Sequence, residues 1–504
     1  MYYGEKLWSD EDAREVHENT LNILEKLGIE VQEKQAREDL AKAGCTVDEK
    51  TRRVYYPRAL VKKTLVDAPA KFDMYDANGE YYITLGGDDV TIGTSGFAAF
   101  YLDRKDDMIK TGTYEALTEE IKLLEMLDEA NHVQTSIQPT DMPDNVQELY
   151  MTKCGLMHTR KPLHLWPTNE RSARAEIEMN AVVMGGHDVL KEKPHMMFNI
   201  CTLSPLKMRD DACEAIREAA KVKVPCFFSS GPMGGATSPA TLAAEVSQSW
   251  AELLAHNVLL QIYQPGSPVV LASWSRIFDM KTVTCTVGTP EYALMRAAIT
   301  QLCKLVEVPA GGGGFLTDSN TIDAQYGWEK FMTGICGLQA KQNQTHGLGM
   351  LSQLNVFSHE ALVIDCEIVR CVKRVLGGIK VDEEHLAYDV IAAEGGVDGS
   401  GSFLKTKHTR KHYKTEWMGT TVTDRRTFST WEKETETNDI RKRACSKIDK
   451  LLEAHAYSID EKLIEKLDEI IAENEKIVKE GKNEYQKREA DFSLFFLIEL
   501  LTIE

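Results

Sequence analysis

The chain has 504 residues, 43% hydrophobic and 27% charged, which are ordinary globular proportions and leave ample apolar material for a core. Its 59 Lys+Arg against 78 Asp+Glu give a net charge of −19, a field that repels polyanions and argues against nucleic acid as a partner. No basic stretch with a following apolar run opens the sequence, and no window approaches the roughly 18 apolar residues of a membrane span, so a cytoplasmic location without a membrane partner is expected.

Ser9-Asp10-Glu11-Asp12 ahead of Val16, Thr20, Ile23, Leu24 and Leu27 predicts a capped first helix stopped by Gly28, and a second helical pattern runs from Ala36 to Ala43. Short β-rich runs, Lys71–Tyr75 and Tyr81–Leu85 around Asn78-Gly79, predict hairpins, so residues 1–117 are expected to form a cap of helices and hairpins. From about residue 118 the rhythm becomes strand, loop, helix. Candidate strands are Val133–Ile137, Pro162–Trp166, Met196–Ile200, Pro225–Ser229, Pro268–Ala272, Val306–Pro309 and Thr345–Gly349, with an eighth near Asp389 to Ala393. Parallel strands linked by helices at this spacing predict an α/β fold, a TIM-type (β/α)8 barrel over 118–400, with an open doubly wound sheet as the alternative. A basic cluster, Lys405, Lys407, His408, Arg410, Lys411 and His412, reads as a solvated face within a helical extension over 401–480, and the odd apolar composition of 481–504 reads as a non-native tail.

The sequence holds no G-x-S-x-G elbow, H-E-x-x-H, Walker loop or dinucleotide fingerprint. Its eleven cysteines show no C-x-x-C pair, which predicts reduced thiols and no metal site. In a barrel the chemistry sits at the carboxyl ends of the strands. Those ends collect Gln138, Trp166, Asn199, Phe227, Phe228, Trp274, Gly311 to Phe315, His346, Met350 and Gln353, a set rich in aromatics and amides and poor in carboxylates. Such a lining fits a quaternary ammonium, which cannot donate a hydrogen bond and is held by aromatic faces at roughly 0.5–2 kcal/mol each. Trp166, Phe198, Phe227, Phe228, Tyr263, Trp274, Phe315 and Phe357 are the pool for a cage, most of them equally readable as core. Gly312, Gly313 and Gly314, read as a loop ending a strand, offer backbone N–H groups to a substrate carboxylate, or else a tight packing corner. Asp318 and Ser319 read as the cap of the next helix.

Three stretches, Arg160–Trp166 with Pro167-Thr168-Asn169, Pro309–Asp318, and His346–Leu351 leading to Leu362–Glu367, resemble the trimethylamine methyltransferase family, in particular its members without pyrrolysine. His408–Tyr413, Asp424-Arg425 and Trp431-Glu432 are similar too, and the resemblance runs from about residue 5 to about residue 475. It implies a barrel and a methyl transfer from a quaternary amine, glycine betaine, proline betaine, carnitine or γ-butyrobetaine, to the Co(I) corrinoid of a cognate corrinoid protein, with no cofactor held tightly by this chain. The pyrrolysine position of the trimethylamine members falls at or next to Gln353, which argues against trimethylamine as substrate.

On that reading Gln353 and His346 form the pocket floor, and Trp166, Phe315 and Phe357, with Tyr263 and Trp274, surround the cation. His346 is equally readable as a histidine bonded inside the barrel. The amine leaves neutral and needs no general acid, so positioning and desolvation, which can contribute roughly 7–11 kcal/mol, are what the enzyme supplies. A homo-oligomer is expected. The rival readings are a corrinoid methyltransferase for another methyl donor and a non-catalytic betaine-binding or corrinoid-protein scaffold.

Overall fold

Eight short runs pair side by side into one parallel sheet: β1 (Thr91–Thr94), β2 (Val133–Gln134), β3 (Leu163–Leu165), β4 (Met196–Cys201), β5 (Cys226–Ser230), β6 (Val269–Ser273), β7 (Ala310–Gly313) and β8 (Gln344–Leu348). In the computed structural model, which describes residues 6–480, neighbours follow in order from β2 to β8, and β8 pairs with β1. A parallel bridge between Gly93 and His132 then closes β1 onto β2. The fold is the (β/α)8 barrel that the strand rhythm implies.

Around it stand α1 (Tyr114–Met126), α2 (Gln147–His158), α3 (Glu170–Met184), α4 (Asp210–Val222), α5 (Leu242–Tyr263), α6 (Pro290–Leu305), α7 (Ala324–Gln339) and α8 (His359–Leu376). Thr113, Asn169, Thr289, Asp323 and Ser358 cap five of these helices by accepting an N–H from the first turn. Each cap lies on the loop that leaves a strand's carboxyl end, so capping fixes where the chain turns at the mouth of the barrel.

Four expectations are corrected. Residues around Asp389 to Ala393 form a helix, Tyr388–Gly395, and the remaining strand is β1, which sequence reading had put inside the cap. The barrel thus runs from Thr91 to Leu376 rather than over 118–400. Val306–Pro309 precedes a strand, because the glycine run Ala310–Gly313 is itself β7. Asp323, not Asp318 or Ser319, caps α7; Asp318 Oδ1 instead accepts the Val287 N–H at 2.7 Å.

The first helix, Asp10–Asn22, starts at the expected Ser9 with a reciprocal Ser9–Asp12 capping box and ends in a wider turn at Gly28, φ +67°. The hairpin Lys71–Tyr75/Tyr81–Gly86 approaches the amino ends of the strands, where Tyr75 N–H donates to Pro194 and Ala77 N–H to Arg160. Its Met74 and Leu85 pack on Met197, Phe227, Val270 and Ala272 and so plug the barrel floor. The terminal helices Ile440–Ala454 and Glu461–Glu480 cover the outer helices, the latter tied by Tyr150 to Glu475 and Arg171 to Asn474, each at 3.0 Å. No helix among the described residues is long and apolar enough to cross a membrane, and the eleven cysteines are unbridged. The expected tail 481–504 lies outside the described residues.

Candidate active site

Side chains alternate across each strand, so every second residue enters the barrel. In β3, Leu163 and Leu165 join the outer core while His164 turns inward, and the same parity brings in His132 just before β2, Phe227 from β5, and Gln344 and His346 from β8. Two glycines clear the space they occupy. A Cβ on Gly93 would stand 2.5 Å from His132 Nε2, and one on Gly311 2.4 Å from Phe227 Cε2.

His132, His164 and His346 form one buried cluster with ring centroids 4.5–4.9 Å apart. His346 Nδ1 lies 2.9 Å from the Thr94 carbonyl, which can only accept, so Nδ1 carries the hydrogen and Nε2 a bare lone pair. His132 Nε2 lies 3.3 Å from His346 Nδ1, and His164 Nε2 lies 2.5 Å from the Gln344 amide. Burial pushes His346 down to about 4 against the opposing Thr94 bond. It holds His132 and His164 well below the usual histidine range, with the neighbouring imidazoles adding to the effect. All three rings are therefore neutral near pH 7.

Above the cluster the lining is aromatic. Trp274, one step beyond β6, lies 6.3 Å from His346, while Phe227 sits on the floor side, 4.8 Å from His346 and 5.3 Å from His164 in edge-on contact and packed on the hairpin's Met74 and Leu85. Tyr292 reaches over Gly313, where a Cβ would come within 2.0 Å of its hydroxyl and 2.8 Å of Trp274 Cζ3. Trp166, two residues beyond His164 and on the same side of β3, packs edge-on against Phe97 at 4.5 Å, with its indole N–H unpartnered. Behind Tyr292, buried Arg296 lies 4.3 Å from the ring and donates to the Ser275 carbonyl. Burial raises Glu245, on the first turn of α5, to about 7, with Arg296 and Arg276 opposing.

Of the expected site residues, His346, Trp274 and Trp166 are placed on the barrel interior by strand parity. Gln353 is half-buried on the turn after β8, where Ser352, Gln353 and Leu354 all have positive φ, and its amide donates to the Asp318 carbonyl at 3.2 Å. The other placements are corrected. Phe315 points outward, its ring against Gly334 of α7, because the chain turns at φ +52° on leaving β7. Phe357 lies under the turn at Gly349, in a strand pairing with Tyr101 and Met350. Tyr263 ends α5, which runs antiparallel to the strands and so brings it to the floor side, beside Asp39 and Arg217. Gly312 and Gly313 belong to a strand paired on both sides, and the Gly314 N–H donates to the His346 carbonyl at 2.8 Å, so the run is a barrel wall and not a free loop. His132, Gln344, Tyr292 and Phe97 were absent from the sequence reading; the alternation in Leu163-His164-Leu165 was a usable signal for the inward histidine.

The trimethylamine methyltransferase (MTTB) family model matches residues 4–478. A glycine betaine methyltransferase of Desulfitobacterium hafniense is 34% identical over 84% of this chain and 88% of its own length. A trimethylamine methyltransferase MttB of the same species is 31% identical over 85% and 86%. Among solved structures, the Methanosarcina barkeri monomethylamine methyltransferase (MtmB) aligns with 90% of this chain and 96% of its own, at 12% identity and a TM-score of 0.49. A family match over nearly the whole described chain, and relatives above 30% identity across most of their length, establish that the chain belongs to the trimethylamine methyltransferase family.

Proposed function

We propose that the chain transfers a methyl group from a small quaternary amine, with glycine betaine the first candidate, to the corrinoid of a separate partner protein. The observation that carries this reading is the aromatic interior of the barrel mouth: Trp274 with Tyr292 over Gly313, and Trp166 with Phe97, beyond the imidazole cluster. A fixed cation without acidic protons is best held by ring faces, each contributing about 0.5–2 kcal/mol. Glycine betaine comes first because the 34% identical relative bears that name.

The partner's corrinoid, when docked, supplies the Co(I) nucleophile. The lining fits that chemistry: the amine departs neutral, so the strand ends need no general acid. The remaining work belongs to this chain. Trp274 orients the ammonium, Phe227 with Met74 and Leu85 keeps the floor dry, Trp166 and Phe97 wall another side, and the Gln353 turn closes the mouth beside Asp318. At the rim the hairpin Arg276–Asp279/Thr284–Cys285 exposes Met280 and Val283, an apolar lip on which a partner can rest.

The test mixes the chain with a cognate corrinoid protein reduced to Co(I) and follows its absorbance with glycine betaine, proline betaine, carnitine, γ-butyrobetaine and trimethylamine in turn. Methylation with a quaternary amine supports the reading. Methylation with trimethylamine alone, or none with a competent partner, overturns it.

A further inference from the structure

The three buried histidines have a chemistry that the methyl transfer does not use. His132 Nδ1, His164 Nδ1 and His346 Nε2 each lack a hydrogen-bond partner although fully enclosed. Buried polar groups are normally paired, and three orphaned imidazole nitrogens in one cluster call for a ligand. One nitrogen from each ring can be chosen so that all three lie within 4.8 Å of one another. Nitrogens bound at about 2.0–2.1 Å to a tetrahedral ion stand roughly 3.4 Å apart. From a separation of at most 4.8 Å, side-chain rotations close the three rings to that spacing.

We infer that His132, His164 and His346 form a three-nitrogen site for a divalent transition-metal ion of the zinc class. All-imidazole donors favour zinc and its neighbours over magnesium or calcium, which require oxygen ligands. The second shell is present too. The Thr94 carbonyl orients His346, as ligating imidazoles are commonly held through their other nitrogen. The strands fix the cluster independently of any substrate: His132 comes from the bridge just before β2, His164 from β3 and His346 from β8, so the ion also staples the early strands of the barrel to the last. Three imidazoles leave one tetrahedral position for water or an oxygen ligand. The inference stands apart from the choice of methyl donor, and its test reads metal rather than turnover.

The chain is stripped with a chelator and dialysed against Zn2+, and in parallel against Co2+, whose visible spectrum reports coordination. One ion per chain is expected, with a four-coordinate Co2+ spectrum and a raised Tm in Zn2+. His164→Phe and His346→Phe, which fill the space with an apolar ring, are expected to weaken binding roughly 100-fold or more. The variant His408→Gln/His412→Gln removes a part-buried imidazole pair outside the barrel, rings 4.4 Å apart on the helix Lys407–Glu416, and is expected to keep the ion. No stoichiometric ion in the unmodified chain overturns the inference, whether or not the interior variants fold. So does an ion lost with the outer pair.

Discussion

Lys330 Nζ and Asp365 Oδ2 lie 2.7 Å apart with neither side chain exposed, and the pair clamps the turn that leaves β8. Asp365 also accepts the Gly349 N–H at 2.7 Å and the Tyr326 hydroxyl at 2.6 Å, while Lys330 donates to the Gly347 carbonyl at 3.1 Å. Burial opposes both charges, lowering Lys330 and raising Asp365, and their mutual attraction resists it. His346 stands immediately before this turn. Asp365→Leu, which strands the Lys330 cation in the wall, is expected to cost about 3–5 kcal/mol, and Lys330→Met/Asp365→Leu distinctly less. Urea unfolding of the two variants checks this; equal losses would show that the pair does not carry the charge balance.

Trp274 and Phe315 separate pocket from wall. Trp274→Ala is expected to weaken quaternary amine binding by about 0.5–2 kcal/mol, a loss of up to roughly thirtyfold, with the fold retained. Phe315→Ala opens a cavity against Gly334 and is expected to cost about 3–5 kcal/mol of stability, with affinity unchanged in the folded fraction. Titration calorimetry alongside thermal unfolding distinguishes the two effects.

Gly313→Ala places a methyl 2.0 Å from the Tyr292 hydroxyl oxygen and 2.8 Å from Trp274. It is expected to destabilise by about 1–3 kcal/mol, and Tyr292→Phe in the same chain to recover part of that by deleting the struck oxygen. A Tm series on the two variants reads the recovery.

Glu120 of α1 accepts the Ser136 N–H at 2.9 Å and the Ile137 N–H at 3.0 Å, holding the chain beyond β2, and burial raises it from 4.5 to about 7. Between these values the folded state binds more protons than the unfolded one. The stability from this group is therefore present at low pH and lost as pH rises from 4.5 through 7. Subtracting the stability profile of Glu120→Gln from that of the unmodified chain should leave a difference falling across that window; a flat difference contradicts the assignment.

Strand spacing and turn residues made the barrel legible, because parallel strands need long crossovers and leave a regular period. Where it failed, local pattern was overruled by distant pairing. Thr91–Thr94 is a strand through its pairing with β8, some 250 residues away, and the glycines of β7 look like a loop until Phe227 and Tyr292 are seen to need their missing side chains. His346, Trp166 and Trp274 were readable from strand ends. Phe315 and Tyr263 were misplaced because one positive φ reverses the first and helix direction sends the second to the opposite end. His132 gave little signal, as it enters the barrel one residue before its strand begins.

The bond from Thr91 N–H to the Asn343 carbonyl joins the first strand to the last. Such a closing contact carries a large loop-closure cost and is reached late. During synthesis, β2 to β7 can pair in turn as they emerge, but β1 waits with an open edge until β8 is made. His132 and His164 likewise wait for His346. A ribosome that stops before Gln344 releases a sheet with two free edges and an unfinished interior, a species suited to aggregation or degradation rather than to partial activity. The cell thus holds either a complete pocket or none.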